Sequence, residues 1–184
     1  MKRIFNPWVG ANYQTGGAIG IRILILGESH YGTRGRESSD TTPKLIRRLG
    51  QDCRFAFYTK VQKLIQNRTD YVTDDERRSF WDDVAFYNFI QRFPGDGPRI
   101  RPTEKMWAHA PDAYLQTVRE LKPELIIIMG RELQSHVPYI ETKMQSDNFP
   151  RICEIDHPSY PKIDLNRARR IIRKSILSFN KKGA

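Results

Sequence analysis

Two stretches constrain the fold of this chain more than any others. Ile21-Arg22-Ile23-Leu24-Ile25-Leu26 runs into Gly27, and Leu125-Ile126-Ile127-Ile128-Met129 runs into Gly130. Both are strand length, rich in β-branched residues and almost continuously apolar. A strand that faces water on one side alternates in polarity, whereas one covered on both faces does not. Two further runs, Val84-Ala85-Phe86-Tyr87-Asn88-Phe89-Ile90 and Arg151-Ile152-Cys153-Glu154-Ile155, are also of strand length.

Helical periodicity lies between these runs. Phe55 to Gln66 spaces Phe55, Tyr58, Val61, Leu64 and Ile65 as one helix face. Thr73-Asp74-Asp75-Glu76 reads as a capping box opening a helix that reaches about Trp81. Pro111 to Leu121 is expected to be helical, with Pro111 in the first turn. Arg131 to Val137 reads as a short helix. Asn166 to Phe179 gathers Ile171, Ile172, Ile176 and Phe179 on one side, with arginines elsewhere. Thr33–Thr42 and Phe93–Pro102 read as long polar connections. Strands of buried character alternating with helices predict a parallel sheet sandwiched between helices. The 184 residues fit a single domain, 1–184.

Composition excludes several classes. No stretch approaches the roughly 20 apolar residues of a membrane helix. Met1-Lys2-Arg3-Ile4-Phe5-Asn6-Pro7 lacks the apolar region of a secretory signal, so a cytoplasmic protein with no membrane partner is expected. Two cysteines, Cys53 and Cys153, are too few for a disulfide framework, a four-cysteine zinc site or an iron–sulfur cubane. Both are read as buried thiols. The formal net charge of +10 favours a polyanionic partner, of which nucleic acid is the commonest in a cell.

In an open parallel sheet, ligands bind beyond the carboxyl ends of the strands. Gly27-Glu28-Ser29-His30-Tyr31-Gly32 follows the first strand, and Gln91-Arg92-Phe93-Pro94 comes after the second, which carries Asn88. Gly130-Arg131 follows the third, and Asp156-His157-Pro158-Ser159-Tyr160-Pro161 the fourth. Pro158 keeps His157 out of helical backbone. A neutral imidazole there can donate to a developing oxyanion, with Asp156 or a main-chain carbonyl orienting the ring. Asn88 interrupts an apolar strand, and its amide can read a pyrimidine edge. His109 and His136 are read as structural or surface groups. His30 and His157 have no third partner at recognisable spacing, so no metal is expected. The chain has no dinucleotide fingerprint, no P-loop and no serine-hydrolase elbow.

Taken in order, Leu26-Gly27-Glu28-Ser29-His30-Tyr31-Gly32, Tyr87-Asn88-Phe89-Ile90-Gln91, Lys122-Pro123-Glu124-Leu125-Ile126-Ile127-Ile128-Met129-Gly130 and His157-Pro158-Ser159 resemble the motifs of the uracil-DNA glycosylase superfamily. Arg92-Phe93-Pro94-Gly95-Asp96-Gly97-Pro98-Arg99 with Arg101-Pro102-Thr103 is similar to a loop of its iron–sulfur branch. The resemblance implies a three-layer α/β/α domain around a central four-stranded parallel sheet. It implies a monomer that flips uracil or another altered base out of DNA and hydrolyses its N-glycosidic bond without a cofactor.

By the same resemblance, Glu28 engages the base or the water, and His157 stabilises charge on the departing base. Asp156 is a second candidate carboxylate. Tyr31, Asn88 and His30 would contact the base. Ser159 would touch phosphate, and Tyr160 would enter the base stack. Arg99 and Arg101 lie in the basic loop that the resemblance brings to DNA. The chain departs from the best-known branches at three points. Ser29 stands where the classical branch has an aspartate, His30 stands where several branches have proline, and there are two cysteines instead of four. Two other readings therefore stand beside the first: a non-catalytic DNA- or nucleotide-binding member of the fold, and an α/β enzyme acting on a small nucleoside or phosphorylated substrate.

Overall fold

The structure is a computed structural model and describes residues 3–97, 100–137 and 150–180. Five strands form one sheet: β1 (Trp8–Val9), β2 (Ile23–Gly27), β3 (Ala85–Asn88), β4 (Leu125–Met129) and β5 (Arg151–Ile155). Their order across the sheet is β1-β3-β2-β4-β5. The pairs β2/β3, β2/β4 and β4/β5 are parallel, whereas β1 runs antiparallel to β3. The expected four-stranded parallel sheet is thus corrected to a five-stranded, mostly parallel one. The added strand is two residues long, with Trp8 opposite Phe86 and Val9 opposite Ala85. It carries no apolar run of its own. Its anchor is long-range: the Trp8 indole N–H donates to the Trp81 carbonyl at 2.8 Å.

Every residue of β2, β3 and β4 is buried. Successive side chains of a strand point to opposite faces, and the core divides accordingly. Ile23, Ile25, Phe86, Leu125 and Ile127 join one apolar cluster. It also holds Tyr58 and Val61 of α2 (Ala56–Ile65), Phe80 and Trp81 of α3 (Asp74–Asp83), and Ala168 and Ile172 of α6 (Leu165–Asn180). Leu24, Leu26, Tyr87, Ile126 and Ile128 join a second cluster. It includes Trp107, Tyr114 and Val118 of α4 (Glu104–Leu121) and Leu133 of α5 (Arg131–His136). Each fully buried aliphatic of this kind contributes about 1.5–3 kcal/mol of transfer free energy. β5 lies at the sheet edge and keeps the alternation of a half-covered strand, with Cys153 and Ile155 inside and Ile152 and Glu154 outside.

The helices follow the sequence pattern with several additions and one correction. The capping box of α3 is present: Glu76 N–H donates to Thr73 Oγ1 at 3.2 Å, and Thr73 N–H donates to Glu76 Oε2 at 2.7 Å. Helix α4 begins at Glu104, not at Pro111, which therefore lies inside it. Its true start is capped by Thr103, whose hydroxyl oxygen accepts from Met106 N–H. Trp107, Ala110, Ala113 and Tyr114 recur at helical spacing and are buried, so packing holds the extra turns despite the missing proline N–H.

The additions are two 3-10 turns, Tyr13–Thr15 and Gly17–Ile19, α1 (Thr41–Leu45) and a π-helical segment, Ile46–Asp52. The segment's end is held by the buried Arg77, which donates to the Gln51 carbonyl at 2.9 Å. It delivers Cys53 to the surface, so that cysteine is exposed and not the buried thiol expected; Cys153 is buried. No described helix is long and apolar enough to cross a membrane.

Candidate functional site

Parallel pairing brings the ends of β2, β3, β4 and β5 to one edge of the sheet. At this edge Gly27 is directly opposite Asn88. A Cβ on Gly27 would lie 2.2 Å from Asn88 Oδ1, so only glycine leaves room for that amide. Asn88 is 4% exposed, yet its side-chain amide makes no hydrogen bond among the described residues. Its main-chain carbonyl accepts from Gln91 Nε2 at 2.8 Å. The amide keeps some solvent contact, so its hydrogen-bonding capacity stays open at the mouth of the strand edge.

The pairing of β2 and β3 continues past both strands. Phe89 N–H donates to the Gly27 carbonyl and Ile90 N–H to the Glu28 carbonyl, both at 2.9 Å. This fixes the backbone of Glu28. Its side chain is 18% exposed and accepts from Arg101 Nη2 at 2.9 Å. The same guanidinium nitrogen also donates to Glu132 of α5. One cation thereby holds two carboxylates that come from different strand ends.

His157 lies against the start of α2. Its ring stacks on Phe57 with centroids 5.3 Å apart and planes inclined by 20°. Ser159 N–H donates to Nδ1 at 3.1 Å. Nδ1 is thus an acceptor, and the neutral ring carries its proton on Nε2. Burial lowers the pKa of His157 below its usual value; the Glu28 carboxylate opposes the shift, while Arg101 and Lys60 add to it. Lys60 Nζ also donates to the Pro158 carbonyl at 2.8 Å, pinning the turn. Behind the ring, Gly130 adopts φ +114°, a backbone conformation that other residues rarely tolerate.

The sequence offers Asp156 or a main-chain carbonyl to orient this ring, and Asp156 does not do so. Instead its carboxylate accepts from Arg131 Nε at 2.8 Å. The orienting groups are Ser159 N–H and the Phe57 face, with no contribution from a carboxylate. Ser159 and Tyr160 are exposed, as is Tyr31 at 58%. His30 has a different environment. It is 4% exposed, its Nε2 lies 2.7 Å from Thr42 Oγ1, and its ring meets Phe5 edge-on at 5.0 Å. Burial pushes its pKa down to about 4. Arg101 is at the site, while Arg99 lies outside the described residues. His109 is exposed, and His136 stacks on Trp107 at 4.0 Å.

Sequence reasoning missed Phe57, Lys60 and Glu132. Phe57 carried a usable signal, because it is an aromatic residue off the apolar stripe of its helix. Lys60 and Glu132 are ordinary surface charges in sequence, and only the fold brings them here. The described residues contain no group of three or more His, Cys, Asp or Glu side chains able to hold a metal ion. The chain matches no family model and no curated protein.

Proposed function

We propose that this protein is a DNA glycosylase-like hydrolase that accepts a flipped uracil or other altered base and cleaves its N-glycosidic bond. The observation that carries this reading is the amide of Asn88, which bonds to no described protein group and is held beside Glu28 at the strand edge that His157 also reaches. The reading includes a three-layer α/β/α domain, DNA as partner, a monomeric state and a cytoplasmic address. In it, Asn88 offers two donors and an acceptor to the edge of the base. Flipping costs a few kcal/mol of unstacking, least for a damaged or unpaired base. Glu28 orients water and stabilises the cationic sugar at C1′. Neutral His157 donates its Nε2 proton in a hydrogen bond to the base oxygen as charge develops there. One such donor is worth about 2.7–4 kcal/mol in comparable sites.

A second reading is favoured by one observation, the ion pair of Arg101 with Glu28. A carboxylate already neutralised suits a protein that binds DNA or a nucleotide without cleaving it. The test is a panel of oligonucleotides bearing different altered bases, assayed for alkali-labile abasic sites. Release of at least one base supports the glycosylase. Salt-dependent binding with no abasic site on any oligonucleotide supports the binding module.

A further inference from the structure

Two residues beyond Asn88 the chain enters the wall of a concavity, which neither Glu28, Asn88 nor His157 lines. Its volume is about 400 Å³, within the range of small-ligand sites. Its charged lining is cationic. Lys105 and His109 lie four residues apart on α4 and so share a helix face. Arg92 enters from the end of the strand that carries Asn88. Ile90, Met106 and Ala110 supply an apolar floor.

Glu37 offsets part of the Arg92 charge, whereas Lys105 keeps its own. Lys105 forms no ion pair among the described residues. Arg92 is 3.5 Å from Glu37 and remains half exposed. That carboxylate is itself committed, accepting from Gly35 N–H at 2.9 Å and Phe93 N–H at 3.3 Å. The acceptor oxygen of the polar wall residue Gln91 is filled as well. Its oxygen accepts from the Ile4 and Phe5 N–H groups, and its nitrogen donates to the Asn88 carbonyl. Lys105 and the half-exposed Arg92 therefore give the cavity open cationic donors.

We propose that this cavity binds the phosphate of a nucleotide, with Lys105, His109 and Arg92 holding the anion and the apolar floor taking the attached nucleoside. A phosphate offers acceptor oxygens only, which complements such a lining. The inference does not depend on base cleavage at Glu28 and His157. The phosphate can belong to a free nucleotide or to a strand of DNA.

The test uses the intact chain and three probes: deoxyuridine, deoxyuridine 5′-monophosphate, and a thymidylate 12-mer. Amide NMR shifts are followed for each probe. The monophosphate or the 12-mer should move the amides of Arg92, Lys105 and Met106, and deoxyuridine should not. Binding should weaken at least about tenfold in the Lys105→Gln/His109→Gln double variant. It should be unchanged in Arg173→Gln, a control on α6. Monophosphate binding identifies a free-nucleotide site. Binding of the 12-mer alone, with a shallower salt slope in the double variant, identifies a strand phosphate. Equal binding of nucleoside and nucleotide, shifts confined to Glu28 and His157, or no shift with any probe would overturn the proposal. The shift map needs only the unaltered protein, so it decides the matter even if a variant fails to fold.

Discussion

The guanidinium of Arg101 donates to the Glu28 carboxylate across 2.9 Å, joining the approach to α4 to the end of β2. It also reaches Glu132, and the charges of Arg101 and Glu28 act on His157 in opposite senses. Arg101 is half exposed, so the pair stabilises the fold little, within about 1 kcal/mol. Its main effect is on the site.

The first prediction concerns that field. Glu28 raises the pKa of His157, and Arg101 lowers it. The His157 titration followed by NMR should therefore move to lower pH in Glu28→Gln and to higher pH in Arg101→Gln. Shifts of the same sign in both variants would contradict the electrostatic coupling.

Glu28→Gln and His157→Ala should each slow single-turnover base release by at least about tenfold, or about 1.4 kcal/mol of barrier. Phe57→Leu should slow it less, because the Ser159 N–H still orients the ring. Unchanged rates in both Glu28→Gln and His157→Ala would reject this site.

Gly27→Ala should destabilise the fold by about 1–3 kcal/mol, the usual cost of forcing atoms into a packed interior. The clash is with Asn88 Oδ1. Urea midpoints should therefore show a smaller penalty for Gly27→Ala when Asn88 is already alanine. An equal penalty in both backgrounds would mean that another neighbour, such as Phe86, sets the cost.

Stability should fall on mild acidification. His30 titrates at about 4 in the fold, against 6.5 for an ordinary histidine. Below pH 6.5 the unfolded chain binds the proton that the folded chain refuses, so stability is full above that pH and declines towards pH 4. Over this window the loss approaches about 3 kcal/mol. His157, shifted the same way, adds to it. Replacing His30 with Asn should flatten the decline in urea midpoints between pH 7.5 and 5.

Arg77→Ala should cost about 1–3 kcal/mol by leaving the Gln51 and Asp52 carbonyls without their donor. Hydrogen exchange should rise first in the π-helical segment, Ile46–Asp52, which those carbonyls close.

The placement of three candidates was legible before the fold. Glu28 and His157 stand just past an apolar run and Asn88 within one, and parallel strands carry such positions to one edge. The roles around them were not legible. Asp156 neighbours His157 in sequence yet pairs with Arg131. Phe57, 100 positions away from His157, supplies the face on which the ring stacks. His30, two residues from Glu28, is turned inward to Thr42 and Phe5.

The sequence by itself determined the parallel core, the capped α3 and the edge at which polar residues collect, because alternation, helical period and capping are local properties read over a few residues. It did not determine β1, the early start of α4, the hold of Arg101 on Glu28 or the Nε2 tautomer of His157. These depend on groups far apart in the chain, and a side chain's partner is decided only when packing has fixed which backbone reaches it.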